Sequence, residues 1–474
     1  MRNAQKQAEL VLVMCPLWGV SQPPISISYL SGFLQKHGVS VRCFDFSSAL
    51  YRVFPEKKCW DLNFPEYFMS PELFNRHIKP VLNPVISDWA GQILALRPSV
   101  VGFSLFMSNM SASLLLAQEL KKRAPDLLIV AGGCEVTRIK RIYVDGIQRR
   151  AHLDTDVIDS GVFDLFIDGE GEQSLLEIVS LIRKNEDFHL IKGAVFRQNG
   201  KFVANPPQEL MANLDIVPPP DFHDFFLDDY TRRSLPIVTS RGCVNRCTFC
   251  ADSPLWKVYR YQSAEKVFNE FSFLSKEYGI SDFEIVDSTF NGNIERVDKL
   301  CALIIKSGLK IRWAAKATLR KEMDHALLCH MQKAGCVDLA YGVESGSYRV
   351  LQDMRKNTDL LEIKRIIRDT WKAKIRVNSF FLIGYPTETE DDFQLTLDFV
   401  KENARYIHRF DQITGCHLEE DSYLSLNAQQ YGIEIKDDGW WSPVSTPAIR
   451  KDRLNRFREL ARKLHAHYRC EVQL

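Results

Sequence analysis

At 474 residues the chain is too long for one ordinary domain and suggests two or three. Its 45% hydrophobic content suits a globular fold with a substantial core, and Lys+Arg 61 against Asp+Glu 60 leaves no general field favouring nucleic acid. No apolar run is long enough to cross a membrane, and twelve cysteines without an export signal point to a reducing cytosol.

The first part reads as alternating strands and helices. Strands are predicted at Leu10–Met14, Val41–Phe46, Val100–Ser104, Leu127–Ala131 and Leu165–Ile167, with helices at Ile27–Lys36 and Ala112–Arg123. Short apolar strands separated by helices argue for an α/β fold with a parallel, Rossmann-like sheet over residues 1–192. Such sheets bind ligands beyond the carboxyl ends of their strands, where Gly132, Gly133 and Gly169 fall here. Tight turns account for the same glycines. Residues 51–90 interrupt the pattern with Phe54, Trp60, Phe64, Tyr67, Phe68, Phe74 and Trp89, an insertion that either packs over the sheet or forms a substrate lid. Residues 193–235, with Pro206-Pro207 and Pro218-Pro-Pro220, read as a linker of turns and extended chain.

From Pro236 the alternation resumes. Strands are expected at Ile237–Ser240, Phe283–Val286, Ile311–Ala314, Val337–Tyr341 and Val377–Ile383, each followed by a helix. Repeated strand–helix units over 236–405 fit a TIM-like (β/α) barrel, whose reacting groups gather at the carboxyl ends of its strands. Residues 406–474 lose the periodicity and are expected to be mostly helical, with His465 and His467 on the surface.

The first strand of this second series delivers Ser240-Arg-Gly-Cys-Val-Asn-Arg-Cys-Thr-Phe-Cys250. Three thiols spaced C-x3-C-x2-C can hold three corners of an iron–sulfur cluster and leave one iron open. A closed zinc site needs four ligands, and no second C-x2-C pair or His-x3-5-His follows. The remaining cysteines are scattered, so a second cluster is not supported. Further strand ends carry Asp287-Ser-Thr-Phe-Asn291, Gly342-Val-Glu-Ser-Gly346 and Ile383-Gly-Tyr-Pro-Thr-Glu388, where carboxylates accept hydrogen bonds and glycines admit a ligand.

The cysteine spacing, with Phe249 immediately before the last thiol, resembles the signature of the radical S-adenosylmethionine (radical SAM) superfamily. The resemblance implies a partial (β/α)6 barrel and a [4Fe–4S] cluster on Cys243, Cys247 and Cys250. SAM would chelate the open iron, be cleaved reductively and release a 5′-deoxyadenosyl radical. It further implies that Phe249 lies against adenine and that Asp287, Arg320, Glu344 and Ser345 contact SAM. The usual early glycine of the adenine-side motif is Phe380 here.

Pro23–Leu30, Gly102–Ser104, Ile129–Gly133 and Ile167–Glu172 resemble the cobalamin (B12)-binding-type domain that precedes many radical SAM domains. In that group the loops carrying Ser104, Ser108, Gly132, Gly133, Gly169, Glu170 and Gly171 follow the nucleotide tail of cobalamin. The chain lacks the Asp-x-His-x-x-Gly motif and has Cys15-Pro-Leu-Trp-Gly19 after the first strand, so cobalamin would bind without a protein ligand to cobalt. An empty, structural domain is the alternative.

The expected activity is cobalamin-dependent C-methylation or another C–H functionalisation. The substrate class is open among small molecules, lipids and natural products, and the electron would come from a donor such as flavodoxin or ferredoxin. Two rivals stand beside it. A methylthiotransferase-like or cyclising enzyme would leave the B12-type domain empty, and an iron–sulfur or zinc redox sensor would catalyse nothing.

Overall fold

The computed structural model describes residues 7–60, 65–146, 159–356, 358–419, 421–436 and 439–471, with the side chains of 253–254 and of 465 onward outside that set. Phe64, His465 and His467, read above from the sequence, therefore lie outside the described side chains. The chain divides into two units, residues 1–212 with 216–235, and residues 213–215 with 236–474.

The first unit is built on a seven-stranded sheet. Its strands are β1 (Leu10–Met14), β2 (Val41–Asp45), β3 (Val100–Ser104), β4 (Leu128–Gly132), β5 (Leu165–Ile167), β6 (Ala194–Gln198) and β7 (Lys201–Ala204), in the order β2-β1-β3-β4-β5-β6-β7. β1 to β5 pair in parallel. Every residue of β1 and β3 is buried, the continuous apolar run expected of strands covered on both faces. The chain order reverses between β1 and β3, so the loops after them diverge at the carboxyl edge of the sheet.

One expectation changes in this unit, and one of two alternatives is favoured. Residues 194–204, assigned above to a linker, form the antiparallel hairpin β6–β7 and complete the sheet. Its two-residue turn, Asn199-Gly200, has φ of 52° and 80°, the pairing that a type I′ turn requires. The described aromatic side chains read in the 51–90 insertion pack into or against the core. Phe54, Phe68, Phe74 and Trp89 join the hydrophobic core, Trp60 and Tyr67 pack against it, and Trp89 stacks on Phe46 at 4.4 Å between ring centres.

In the second unit a six-stranded sheet runs in chain order: β8 (Leu235–Ile237), β11 (Asp282–Ile285), β12 (Arg312–Ala317), β13 (Cys336–Glu344), β14 (Arg376–Ile383) and β15 (Arg409–Gly415). β9 (Ser240–Arg241) and β10 (Arg260–Tyr261) form a separate antiparallel ladder. From β11 to β15 each strand pairs in parallel with the next, and a helix returns the chain each time. This sequential winding is that of a (β/α) barrel. Helix starts are fixed by side-chain caps: Ser263, Asn293, Asp324, Asp359 and Thr389 each accept a first-turn amide.

The barrel does not stop at residue 405. β15 supplies a sixth strand from the segment expected to be mostly helical, and a short hairpin of β16 (Glu434–Lys436) and β17 (Gly439–Trp441) precedes the long helix Pro447–Glu471. β15 is a half-exposed edge strand with the polar sequence RFDQITG, so no apolar alternation announces it. Among the described residues no helix is long and apolar enough to cross a membrane.

Candidate functional site: a cysteine loop at the carboxyl ends of the barrel strands

The cysteine loop leaves the sheet after β8 and is closed at its root by the β9–β10 ladder, which pairs Arg241 with Arg260 and Ser240 with Tyr261. Gly242 opens it with φ of 84°, and a Cβ there would lie 2.8 Å from the Val258 carbonyl oxygen. Only glycine fits both conditions.

Neighbouring strand ends hold the loop in place. After β11, the buried Asp287 carboxylate accepts from the Thr239 amide (2.7 Å), the Thr239 hydroxyl (2.6 Å) and the Ser240 hydroxyl (2.7 Å). Beside it the buried Arg296 donates to the Thr239 carbonyl at 3.0 Å and to the Phe290 carbonyl at 2.6 Å. Burial raises the Asp287 carboxyl, against the opposing pull of Arg296 and these hydrogen bonds. Two residues on, the Thr289 hydroxyl lies 2.8 Å from Cys243 Sγ. Between the second and third cysteines, Thr248 donates its amide to the Met354 carbonyl (3.0 Å), and its hydroxyl meets Tyr385 Oη at 2.8 Å. The Thr248 carbonyl accepts the Leu424 amide at 2.7 Å, so the region after β15 also pins the loop.

The three thiols are half-buried and unpaired by disulfides. Burial pushes the Cys250 thiol up to about 12, with Asp252 adding to the effect. Burial also raises Cys247, while the Lys356 ammonium pulls it back and the Cys243 thiol adds to the rise. Burial thus favours the protonated form of Cys247 and Cys250, and metal binding would release those protons. Among the described residues no three His, Cys, Asp or Glu side chains are gathered around one mononuclear ion. An all-sulfur donor set on one short loop fits a cluster, in which each thiolate takes its own iron.

A buried ion pair lies within electrostatic reach of Cys247, and Met354, two residues before Lys356, accepts the Thr248 amide. At the end of β13 the ladder register shifts between Gly342 and Glu344, and Glu344 takes φ of 66°. Such a left-handed conformation is uncommon outside glycine and stores backbone strain. The Glu344 carboxylate receives the Lys356 ammonium at 2.9 Å, and the same ammonium donates to the Gly342 carbonyl at 2.7 Å.

Of the residues expected to contact SAM, Glu344 stands beside the cysteine loop and Phe249 lies within it. Arg320 spans two strand ends, donating to the Gly292 carbonyl at 2.7 Å and pairing with Glu322 at 3.2 Å. Two of these residues have partners within the chain. The Asp287 carboxylate accepts from Thr239 and Ser240 and so clamps the loop root. Ser345 is fully buried, with its hydroxyl 3.2 Å from that of Thr396 and accepting the Ser347 amide, so it builds the turn. Lys356 and Arg296 carry no sequence signal of their own, and Thr289 and Tyr385, though inside the strand-end motifs, gain their partners only through the fold.

In the first unit the expected cobalamin-side residues lie on the loops after β3, β4 and β5. Gly133 has φ of 106°, and a Cβ there would lie 2.5 Å from the Leu105 carbonyl oxygen, while Gly132 and Gly169 face open space within 4 Å. Gly171 begins the helix Gly171–Lys184, and the preceding Glu170 carboxylate accepts the Met211 amide at 2.9 Å. Ser104 is buried, 3.2 Å from the Ser26 hydroxyl. Ser108 donates to the Leu17 carbonyl at 2.9 Å, so its hydroxyl ties the loops after β1 and β3 together. Trp18 and Phe106 stack at 4.1 Å between those same loops. The open glycines leave room for a ligand across the strand ends, so the residues present fit the group that the resemblance implies.

Residues 237–400 match the radical SAM superfamily. An uncharacterized methyltransferase of Pyrococcus horikoshii is 29% identical over 320 residues, covering 67% of each chain. A solved structure of the radical SAM methyltransferase TsrM from Kitasatospora setae, with cobalamin and a [4Fe–4S] cluster bound, superposes with a TM-score of 0.64 at 17% identity over 97% of this chain and 89% of that one. The cobalamin-dependent radical SAM enzyme OxsB, with aqua-cobalamin and SAM bound, gives a TM-score of 0.64 at 19% identity over 90% of this chain, which spans only 56% of the OxsB chain. The cysteine loop stands at the head of the barrel segment, residues 237–400, that matches the radical SAM superfamily.

Proposed function

We propose that the chain is a cobalamin-dependent radical SAM methyltransferase acting at an unactivated carbon of a small-molecule, lipid or natural-product substrate. The observation that carries this reading is the three-thiol loop, fixed by the ends of successive barrel strands with Glu344 beside it. When bound, the cluster supplies the electron that breaks the S–C5′ bond of SAM, and cobalamin supplies a methyl group.

The chain's own residues have separable roles in this reading. Cys243, Cys247 and Cys250 hold the cluster. Glu344 accepts from the SAM ammonium, Phe249 lies against adenine, and Arg320 steadies the strand ends. The loops of Ser104, Gly132, Gly133 and Gly169–Gly171 border cobalamin. Relatives described as methyltransferases support methylation, and others described as cyclases keep cyclisation as the second reading. The electron comes from a small donor such as a flavodoxin or ferredoxin. A reducing cytoplasm suits both the donor and eleven described free cysteines.

Anaerobic reconstitution tests the reading. The loaded protein, given SAM and a reductant, is expected to form 5′-deoxyadenosine, and corrinoid bands with cobalt are expected in the protein purified from cobalamin-supplied cells. Cys247→Ala is expected to lose both cluster and SAM cleavage. A fully loaded cluster that leaves SAM intact would sink the enzymatic reading in favour of a redox sensor.

A further inference from the structure

Lys356 is the cation that stands out around the cysteine loop. It lies twelve residues beyond Glu344, and the side chains of the pair are only 13% and 12% exposed. An ammonium removed from water costs several kcal/mol unless charge and hydrogen bonds compensate it. Here the compensation is specific. The ammonium donates to Glu344 Oε1 at 2.9 Å and to the Gly342 carbonyl at 2.7 Å. The backbone is shaped to admit it: a Cβ on Gly342 would fall 2.3 Å from Glu344 Oε1 and 2.7 Å from Lys356 Nζ. The strained φ of Glu344 and the register shift beside it turn the carboxylate onto this ammonium. Burial would lower the Lys356 ammonium, but the Glu344 carboxylate opposes it and the group is raised on balance.

We infer that Lys356 is a positioning residue for the cluster site: it fixes the aim of the Glu344 carboxylate and supplies the positive charge that offsets the cysteine loop. This rests on the radical SAM reading above. A cluster on three thiolates adds negative charge to a half-buried loop, and taking up an electron adds more. The Lys356 cation then stabilises the reduced state, and the Glu344 carboxylate destabilises it. The two members of one ion pair should therefore act on the cluster with opposite signs.

The test uses the full chain with its cluster reconstituted, following the midpoint potential by EPR-monitored titration and SAM binding by equilibrium dialysis. Lys356→Met is expected to keep four irons, to become harder to reduce, and to bind SAM about tenfold more weakly. Lys356→Arg is expected to restore the potential more fully than the affinity, because a planar fork cannot reproduce both ammonium bonds. Glu344→Gln is expected to move the potential upward while also weakening SAM. Shifts of the same sign in the Met and Gln variants, or no shift in either, would overturn the inference. If Lys356→Met fails to hold its cluster, Glu344→Gln decides alone, because an unchanged or lowered potential contradicts the charge argument. Failure of the wild-type protein to cleave SAM would undo the functional reading but leave these potentials readable.

Discussion

Asp287, expected among the SAM contacts, clamps the root of the cysteine loop. Its oxygens accept from the Thr239 amide and hydroxyl and from the Ser240 hydroxyl, all within 2.7 Å. Hydrogen bonds to a charged acceptor contribute about 1.5–3 kcal/mol each, and an amide donor placed against these groups would leave one of them unpaired. Asp287→Asn is expected to lower stability by about 2–3 kcal/mol and to reduce the iron retained per chain. The SAM affinity of the loaded fraction should stay unchanged, measured by dialysis against thermal unfolding of the same samples. A selective loss of SAM affinity at normal iron content would return Asp287 to the ligand set. The cysteines were legible because three ligands within one loop need no tertiary information. Arg296 and Tyr385 were not, since they reach Thr239 and Thr248 across 57 and 137 positions of chain. Lys356 is only twelve positions from its partner, but nothing local distinguishes a buried lysine from a solvated one.

At the scale of elements, adjacent glycines after β4 separate shape from ligand binding. Gly133 combines φ of 106° with a Cβ position 2.5 Å from the Leu105 carbonyl oxygen, whereas Gly132 has nothing within 4 Å. Gly133→Ala is expected to cost the first unit about 1–3 kcal/mol through backbone strain, with the steric overlap adding to it. Gly132→Ala should unfold like the wild type yet take up less cobalamin, read from corrinoid absorbance after reconstitution. Equal cobalamin loading in Gly132→Ala would remove this loop from the proposed site. The same contrast explains which elements sequence patterns reveal. Fully buried parallel strands announce themselves as apolar runs, as β1 and β3 do. The β6–β7 hairpin had a readable signal in Asn199-Gly200 flanked by Ala194–Gln198 and Lys201–Ala204, outweighed by the prolines that follow it. β15 had none, because an exposed edge strand buries no regular face.

At the scale of the molecule, the second unit depends on its last helix to finish the barrel's edge. Arg453, Phe457 and Ala461, spaced four apart on Pro447–Glu471, form one buried face. Phe457 packs against Phe381 of β14 at 4.9 Å and Phe410 of β15 at 6.3 Å. One turn earlier, the Arg453 guanidinium donates to the Glu388 carbonyl at 2.8 Å and faces its carboxylate at 3.4 Å. Glu388 is fully buried, its carboxylate also accepts the Gly384 amide at 2.8 Å, and burial pushes the carboxyl up to about 7 despite Arg453. Removing one partner of a buried pair costs about 3–5 kcal/mol because the other charge is stranded. Glu388 has an escape, since it can take up a proton. A carboxyl raised in the folded state binds protons that the unfolded chain has already released, so its contribution to stability falls as pH rises through the raised value. In Arg453→Met that raised value moves higher still. The variant's destabilisation should therefore be smaller at pH 6, where Glu388 is neutral in the fold, and larger at pH 8, where folding must keep it protonated or bury its charge. Urea unfolding of wild type and variant at the two pH values checks this. Equal loss at both would mean that Arg453 holds the helix through packing and its 3.2 Å ion pair with Glu390, with the buried pair contributing nothing specific.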